Sequence, residues 1–174
     1  DLIIDPLENF SDLRSGKVKF VGDPNIRINE DHLRILRYFR FVGKFPYTNK
    51  TPNKVTLDAI KTKKSLILKL SRERIWTELK LILSSYEINS VICLMNNTEV
   101  LSIIFPQASL DQIIKMSRLE KILEKIIHGQ DEFKFEFGVC DPIRRLALLS
   151  GENDSFHKKH KIFSLDKKEI KRLN

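Results

Sequence analysis

Apolar and polar positions follow two different rhythms along this chain. Before residue 25 the signals are short. Ile3 and Ile4 precede Asp5-Pro6, and a residue before proline avoids the helical region. Val18 and Phe20 alternate with Lys17 and Lys19, and Gly22 and Asp23-Pro24 then mark a turn. Residues 1–24 are therefore expected as extended pieces and turns, the edge of a sheet whose remainder lies elsewhere, because two or three short strands alone are marginal.

From Asn29 the rhythm is helical. Asn29 reads as an N-cap with Glu30 and Asp31 in the first turn, where the helix dipole favours acids. Leu33, Leu36 and Phe39-Arg40 follow at helical spacing, and Gly43 reads as the stop. Thr51-Pro52 is a second start, opening a helix through Val55, Ala59 and Ile60. Ser71 caps a third, in which Ile75, Leu79 and Ile82 share one face with Trp76 and Leu83 beside it. Further helices are expected over 88–95 and 100–105, over a long amphipathic stretch ending at Gly129, after Asp141-Pro142, and after Ser164. The stretch 130–140 alternates like a strand but reads as a link between helices, and no fixed-period repeat is evident.

Composition supports a mostly α chain with a packed core. Hydrophobic residues make up 41%, charged residues 31%, and there are only six Gly and six Pro. The net charge of +8 attracts polyanions without reading their sequence, although solvated lysines on helix faces produce the same balance. Cys93 and Cys140 lie too far apart for a zinc motif or a disulfide framework, so buried, reduced thiols in a cytoplasmic setting are expected. No apolar run approaches the roughly 20 residues needed to span a bilayer. His32, His128, His157 and His160 lack ligand spacing, which favours surface or capping roles. The basic run 157–161 reads as a solvated loop or a phosphate contact. Trp76 reads as core, and Ser71 as a cap rather than a nucleophile.

The segment from Gly22 to Phe41 carries the candidate chemistry. On a continuous helix turning about 100° per residue, Asp31, Arg34 and Tyr38 fall within about 60° of one another. A carboxylate beside a guanidinium can read the donor and acceptor edge of a base. By spacing alone, a helical salt bridge is the simpler reading.

Three motifs change that weighting. Asp5-Pro6 to Leu13, then Gly22-Asp23-Pro24 through Arg27, Glu30-Asp31, Arg34 and Arg37, then Glu73-Arg74-Ile75, resemble in order and spacing three consecutive motifs of the class II tRNA nucleotidyltransferases. That family comprises CCA-adding enzymes and bacterial poly(A) polymerases. The resemblance covers residues 5–79 and extends weakly to the later helices. It implies a helical neck and body with a small N-terminal β/turn remnant of a head domain: the end of the head and hinge over 1–24, the neck over 25–86 and part of the body over 87–174. Asp31 and Arg34 would hydrogen-bond the Watson–Crick edge of incoming CTP or ATP. Glu30 would orient Arg34, and Arg37 would belong to the same nucleotide-binding set. Arg72, Glu73 and Arg74 would buttress them. The implied partners are tRNA and nucleoside triphosphates, with no membrane.

Two departures qualify this. Glu8 and Asn9 stand where the family's first motif has glycine. The family's catalytic head, whose paired aspartates bind Mg2+, should precede Asp1, and no Asp-x-Asp occurs here. No catalytic or metal-binding residue is therefore assigned to this chain, and alone it is expected to be inactive. Alternatives are poly(A) synthesis within the family, or, outside enzymes, a helical RNA-binding module or the inert product of a split gene.

Overall fold

The computed structural model describes residues 5, 10–45, 52–127, 140–149 and 163–173. These form ten α-helices and one 3-10 turn, with no strand among the described residues. The Val18–Phe20 alternation is irregular chain laid against α-helices: the Phe20 ring stacks on Tyr38 with centroids 5.9 Å apart. Its alternation turns two partly buried side chains toward the core, with no strand beside it among the described residues.

Helix α1 (Phe10–Arg14) follows Asp5, whose Oδ2 accepts from the Phe10 amide at 2.6 Å. Helix α2 (Pro24–Glu30) starts five residues before the expected Asn29 cap. Asp23 is the cap: its Oδ1 accepts from the amides of Asn25 at 2.7 Å and Ile26 at 3.1 Å. Pro24 supplies a preset φ at the first helical position, and that combination outweighs Asn29, which lies inside the helix. Asp31 then adopts an extended conformation, φ −149° and ψ 110°, and ends α2.

Helix α3 (Arg34–Lys44) runs through Gly43, the expected stop. Gly43 is a packing position: a Cβ there would lie 2.8 Å from Ser85 Cβ and 3.1 Å from Val91 Cγ2. Helix α4 (Lys54–Lys63) is capped by Asn53, two residues beyond the expected Thr51, through bonds from the amides of Val55 at 2.9 Å and Thr56 at 3.3 Å. A 3-10 turn (Lys64–Lys69) that the periodicity did not reveal leads to α5 (Arg72–Leu83), where Ser71 Oγ accepts from the Arg74 amide at 3.3 Å as expected.

Then follow α6 (Ile88–Asn97), α7 (Val100–Ile104), α8 (Leu110–Ile127), α9 (Pro142–Leu149) and α10 (Lys167–Leu173). Asp141 caps α9 through the amides of Ile143 at 2.8 Å and Arg144 at 3.0 Å. Asp166 and Glu169 bond each other's amides reciprocally at the start of α10. The readings placed on Gly129, on 130–139 and on the basic run 157–161 lie outside the described residues.

One core runs through all of this, from Ile28 through Ile35, Leu36 and Phe39 of α3 to Leu146 of α9. Helix α3 packs on α5 and α6, α2 on α4, and α9 on α5 and α8. Each fully buried Ile, Leu or Phe contributes about 1.5–3 kcal/mol relative to exposure. Trp76 is core, as expected, and its Nε1 donates to Glu169 Oε2 at 3.1 Å, fastening α10 to α5.

Candidate functional site

The site forms where α2 breaks and α3 begins. Asp31 does two jobs there through Oδ1. It accepts from the Leu33 amide at 3.1 Å, which stops α2, and from Arg74 Nη2 at 3.1 Å, which ties the break to the first turn of α5. The Arg34 amide donates to the Asp31 carbonyl at 3.1 Å, so the two residues stay adjacent across the break. His32 takes a capping role, its Nδ1 lying 2.9 Å from the Ile28 carbonyl.

This geometry corrects the single-face reading. Asp31, Arg34 and Tyr38 do not share one continuous helix, because Asp31 prefers capping to helix propagation, as short acidic side chains do. Tyr38 is buried, not an exposed aromatic edge. Arg34 pairs with Glu30: Nη1 donates to Glu30 Oε2 at 2.8 Å and to the Arg27 carbonyl at 3.3 Å. Glu30 Oε2 also accepts from Arg27 Nη1 at 2.6 Å.

Beside this network opens a cleft of about 310 Å³, lined among others by Lys19, Phe20, Arg27, Arg34, Arg37 and Phe41. The structure thus gathers Arg34 and the exposed Arg37 into one wall, whereas Glu30 and Asp31 hold arginines rather than line the cleft. Of the supporting residues, Arg74 makes the cross-link to Asp31, and Arg72 and Glu73 stand exposed on the first turn of α5. A second tie between α3 and α5 joins Arg40 Nε to the buried Glu78 at 3.3 Å, with the Arg40 guanidinium 4.7 Å from the Phe41 ring centre.

Three guanidiniums, a lysine and aromatic rings suit a ligand that is anionic or rich in acceptors and offers a flat face to stack. From the sequence Arg27 stood only as a motif residue without a role, and Phe20 only as part of an alternation. Once α2 is known to begin at Pro24, Arg27 falls one turn before Glu30, and that spacing was the available signal. Among the described residues no group of three or more His, Cys, Asp or Glu is placed to hold a metal ion. No described helix is long and apolar enough to cross a membrane.

Comparisons with known proteins agree with this architecture. Residues 51–111 match the family model described as "Probable RNA and SrmB- binding site of polymerase A". The human mitochondrial CCA tRNA nucleotidyltransferase 1 is 40% identical over 118 residues, covering 67% of this chain and 27% of that protein. The CCA-adding enzyme of Limosilactobacillus reuteri is 38% identical over 81 residues, covering 47% of this chain and 19% of that protein. In fold, the Thermotoga maritima CCA-adding enzyme complexed with tRNA superposes with a TM-score of 0.63 at 21% identity, covering 98% of this chain and 40% of that one. A CCA-adding enzyme complexed with CTP gives 0.66 at 19% identity, again over 98% of this chain and 40% of that one.

The chain is thus mostly helical and shares its fold with part of the CCA-adding enzymes. The chain belongs to the family of CCA-adding enzymes and poly(A) polymerases. It spans about a quarter of the human relative's length, 27%.

Proposed function

We propose that this chain selects the incoming nucleotide and contacts RNA during nucleotidyl transfer from CTP and ATP to the 3′ end of tRNA. The observation that carries this reading is the Arg34 side chain. It lies on the wall of a cationic cleft and is fastened through Nη1 to Glu30. Asp31 stands next to it across the helix break. Its Oδ1 is held by the Leu33 amide and Arg74, so a base contact from Asp31 would use its other carboxylate oxygen. An acceptor and a donor fork at fixed spacing can select a base edge without a nucleic-acid template. Arg37 adds charge to the same wall, and Arg74 keeps Asp31 in place. The division into hinge, neck (25–86) and body (87–174) belongs to this proposal, as does a cytoplasmic setting.

The transfer chemistry of such enzymes uses Mg2+ to activate the 3′ hydroxyl and neutralise the triphosphate. Among the described residues no group of three or more metal-ligating side chains gathers, and no step is assigned to this chain through that ion. The head domain of the full-length enzyme is the expected source of the metal ligands, and residues 1–174 alone should add no nucleotide to tRNA.

The test is Arg34→Ala in the full-length enzyme, with incorporation of CTP, ATP, GTP and UTP measured beside the melting temperature. Discrimination should fall by about 1–3 kcal/mol, while loss of a half-exposed ion pair should cost only about 0.3–0.5 kcal/mol of stability. A folded variant with unchanged preference for CTP and ATP would sink the base-reading role.

A second reading is RNA binding without catalysis, favoured by the net charge of +8 and by the RNA-binding description of the matched family model. Purified 1–174 should bind tRNA weakly, with affinity dropping steeply as salt rises. Salt-insensitive binding, or none at low salt, argues against an RNA-facing surface. Poly(A) synthesis in place of CCA addition would appear as repeated AMP incorporation in the same assay.

A further inference from the structure

Glu30 is shared between two arginines. One oxygen, Oε2, accepts from Arg27 Nη1 at 2.6 Å and from Arg34 Nη1 at 2.8 Å. Arg34 Nη1 donates additionally to the Arg27 carbonyl at 3.3 Å. The described bonds of the Arg34 guanidinium therefore all fall on a single nitrogen. A guanidinium carries five N–H donors in a rigid plane, so anchoring through Nη1 keeps the edge formed by Nη2 and Nε for a ligand.

A carboxylate facing one arginine alone tends to engage it in two parallel bonds, fork to fork. That arrangement would draw on a second Arg34 nitrogen and turn the free edge inward. Arg27 stands against it: the Asp23-Pro24 start fixes the register of α2, which puts Arg27 one turn before Glu30 and gives it a hold on the same oxygen.

We propose that Arg27 is a positioning residue for base selection: by holding Glu30 it makes Glu30 clamp Arg34 through Nη1 alone, so that the remaining edge of Arg34 faces the cleft. This rests on the reading of Arg34 as a base-selecting residue. Arg27 also lines the cleft, so direct contact with a ligand is the competing role that the experiment must separate.

The experiment measures kcat/KM for CTP, ATP, GTP and UTP on tRNA lacking its 3′ CCA. It compares full-length enzyme carrying Arg27→Ala, Arg27→Lys, Glu30→Gln and the Arg27→Ala/Glu30→Gln double change, with Arg34→Ala as control. Arg27→Ala should lower the preference for CTP and ATP over GTP and UTP roughly tenfold with little change in melting temperature. Arg27→Lys should recover part of it, because a point charge again occupies Glu30. In the Glu30→Gln background the loss of Arg27 should lower preference no further, since both changes act through one carboxylate. Should Arg27→Ala fail to fold, Arg27→Gln carries the same comparison. An unchanged preference in Arg27→Ala, with a fall in Arg34→Ala, overturns the positioning role and leaves the reading of Arg34 standing. An undiminished fall on the Glu30→Gln background also overturns it, because Arg27 then acts on the ligand directly. Unchanged preference in Arg34→Ala overturns both.

Discussion

Arginine–carboxylate pairs occur in two contrasting settings in this molecule. At the α2–α3 break, Arg34 and Glu30 meet at 2.8 Å with side chains 27% and 44% exposed. Between α8 and α9, Arg145 and Glu120 meet at 2.5 Å with side chains 1% and 2% exposed. Arg145 spends its remaining donors on main chain: Nη1 donates to the carbonyls of Leu83 at 2.5 Å and Ser85 at 2.7 Å, closing the C-terminal end of α5. In the dry setting every guanidinium nitrogen serves the fold. In the wet one donors remain for a ligand, and water compensates any that go unused. The same chemistry thus divides between structure and recognition according to solvent access.

The sharpest way to break this contrast is Arg145→Ala. It leaves Glu120 buried without its partner and uncaps the end of α5, so stability should fall by about 3–5 kcal/mol. Urea denaturation measures it, and a loss no larger than that of Arg34→Ala would erase the distinction. Next in size is Gly43→Ala, which pushes a methyl group into Ser85 and Val91 where α3 meets α6 and the turn before it. Overpacking there should cost about 1–3 kcal/mol, visible as a lower melting temperature, while Ser85→Ala combined with it should restore part of the loss. Arg74→Ala, on the wet side, should cost about 0.3–0.5 kcal/mol in stability. Its larger effect should appear as weaker nucleotide preference in the full-length enzyme, because Asp31 loses its outer tether.

The smallest effect concerns acid. Glu99 sits in the left-handed region at φ 60°, between Lys61 and Lys64, each 2.7 Å away. Hydrogen bonds from Lys61 and then Lys64 lower its pKa to about 2. A carboxylate with a lowered folded-state pKa contributes stability that is present above its unfolded pKa and lost as pH falls through the folded value. Glu99→Gln should therefore flatten the stability profile between roughly pH 4.5 and pH 2, and leave it unchanged near neutral pH apart from a constant offset. Identical acid profiles in both proteins would show the triad to be inert, as a solvent-accessible one can be.

Much of the fold could be read from local chemistry. Ser71 and the Asp141-Pro142 pair mark helix starts through short-range side-chain-to-amide bonds, and the apolar spacing of Ile75, Leu79 and Ile82 chooses the buried face of α5. The order of motifs, with Glu30, Asp31, Arg34, Arg37 and Arg74 in them, indicated where the site would form and which family the chain belongs to. The break between α2 and α3 was not legible, because Asp23-Pro24 reads as a turn and Asn29 as the cap. The Asp23-Pro24 start prevailed, and the carboxylate of Asp31 then satisfied the Leu33 amide and reached Arg74, 43 residues away.

The same division holds elsewhere. Local bonding and periodicity act over a turn or two of chain, so the sequence by itself determined most of the helices after α3, several of their starts and the basic character of the candidate site, but not α1 or the α2–α3 break. Gly43 reads locally as a terminator, and only its approach to Ser85 and Val91 makes it a packing residue. Arg145 reads as one more surface cation until α8 and the end of α5 close around it. Which carboxylate Arg145 and Arg74 hold, and whether water reaches the pair, depends on segments 25 and 43 residues apart being brought together, and that only the tertiary structure decided.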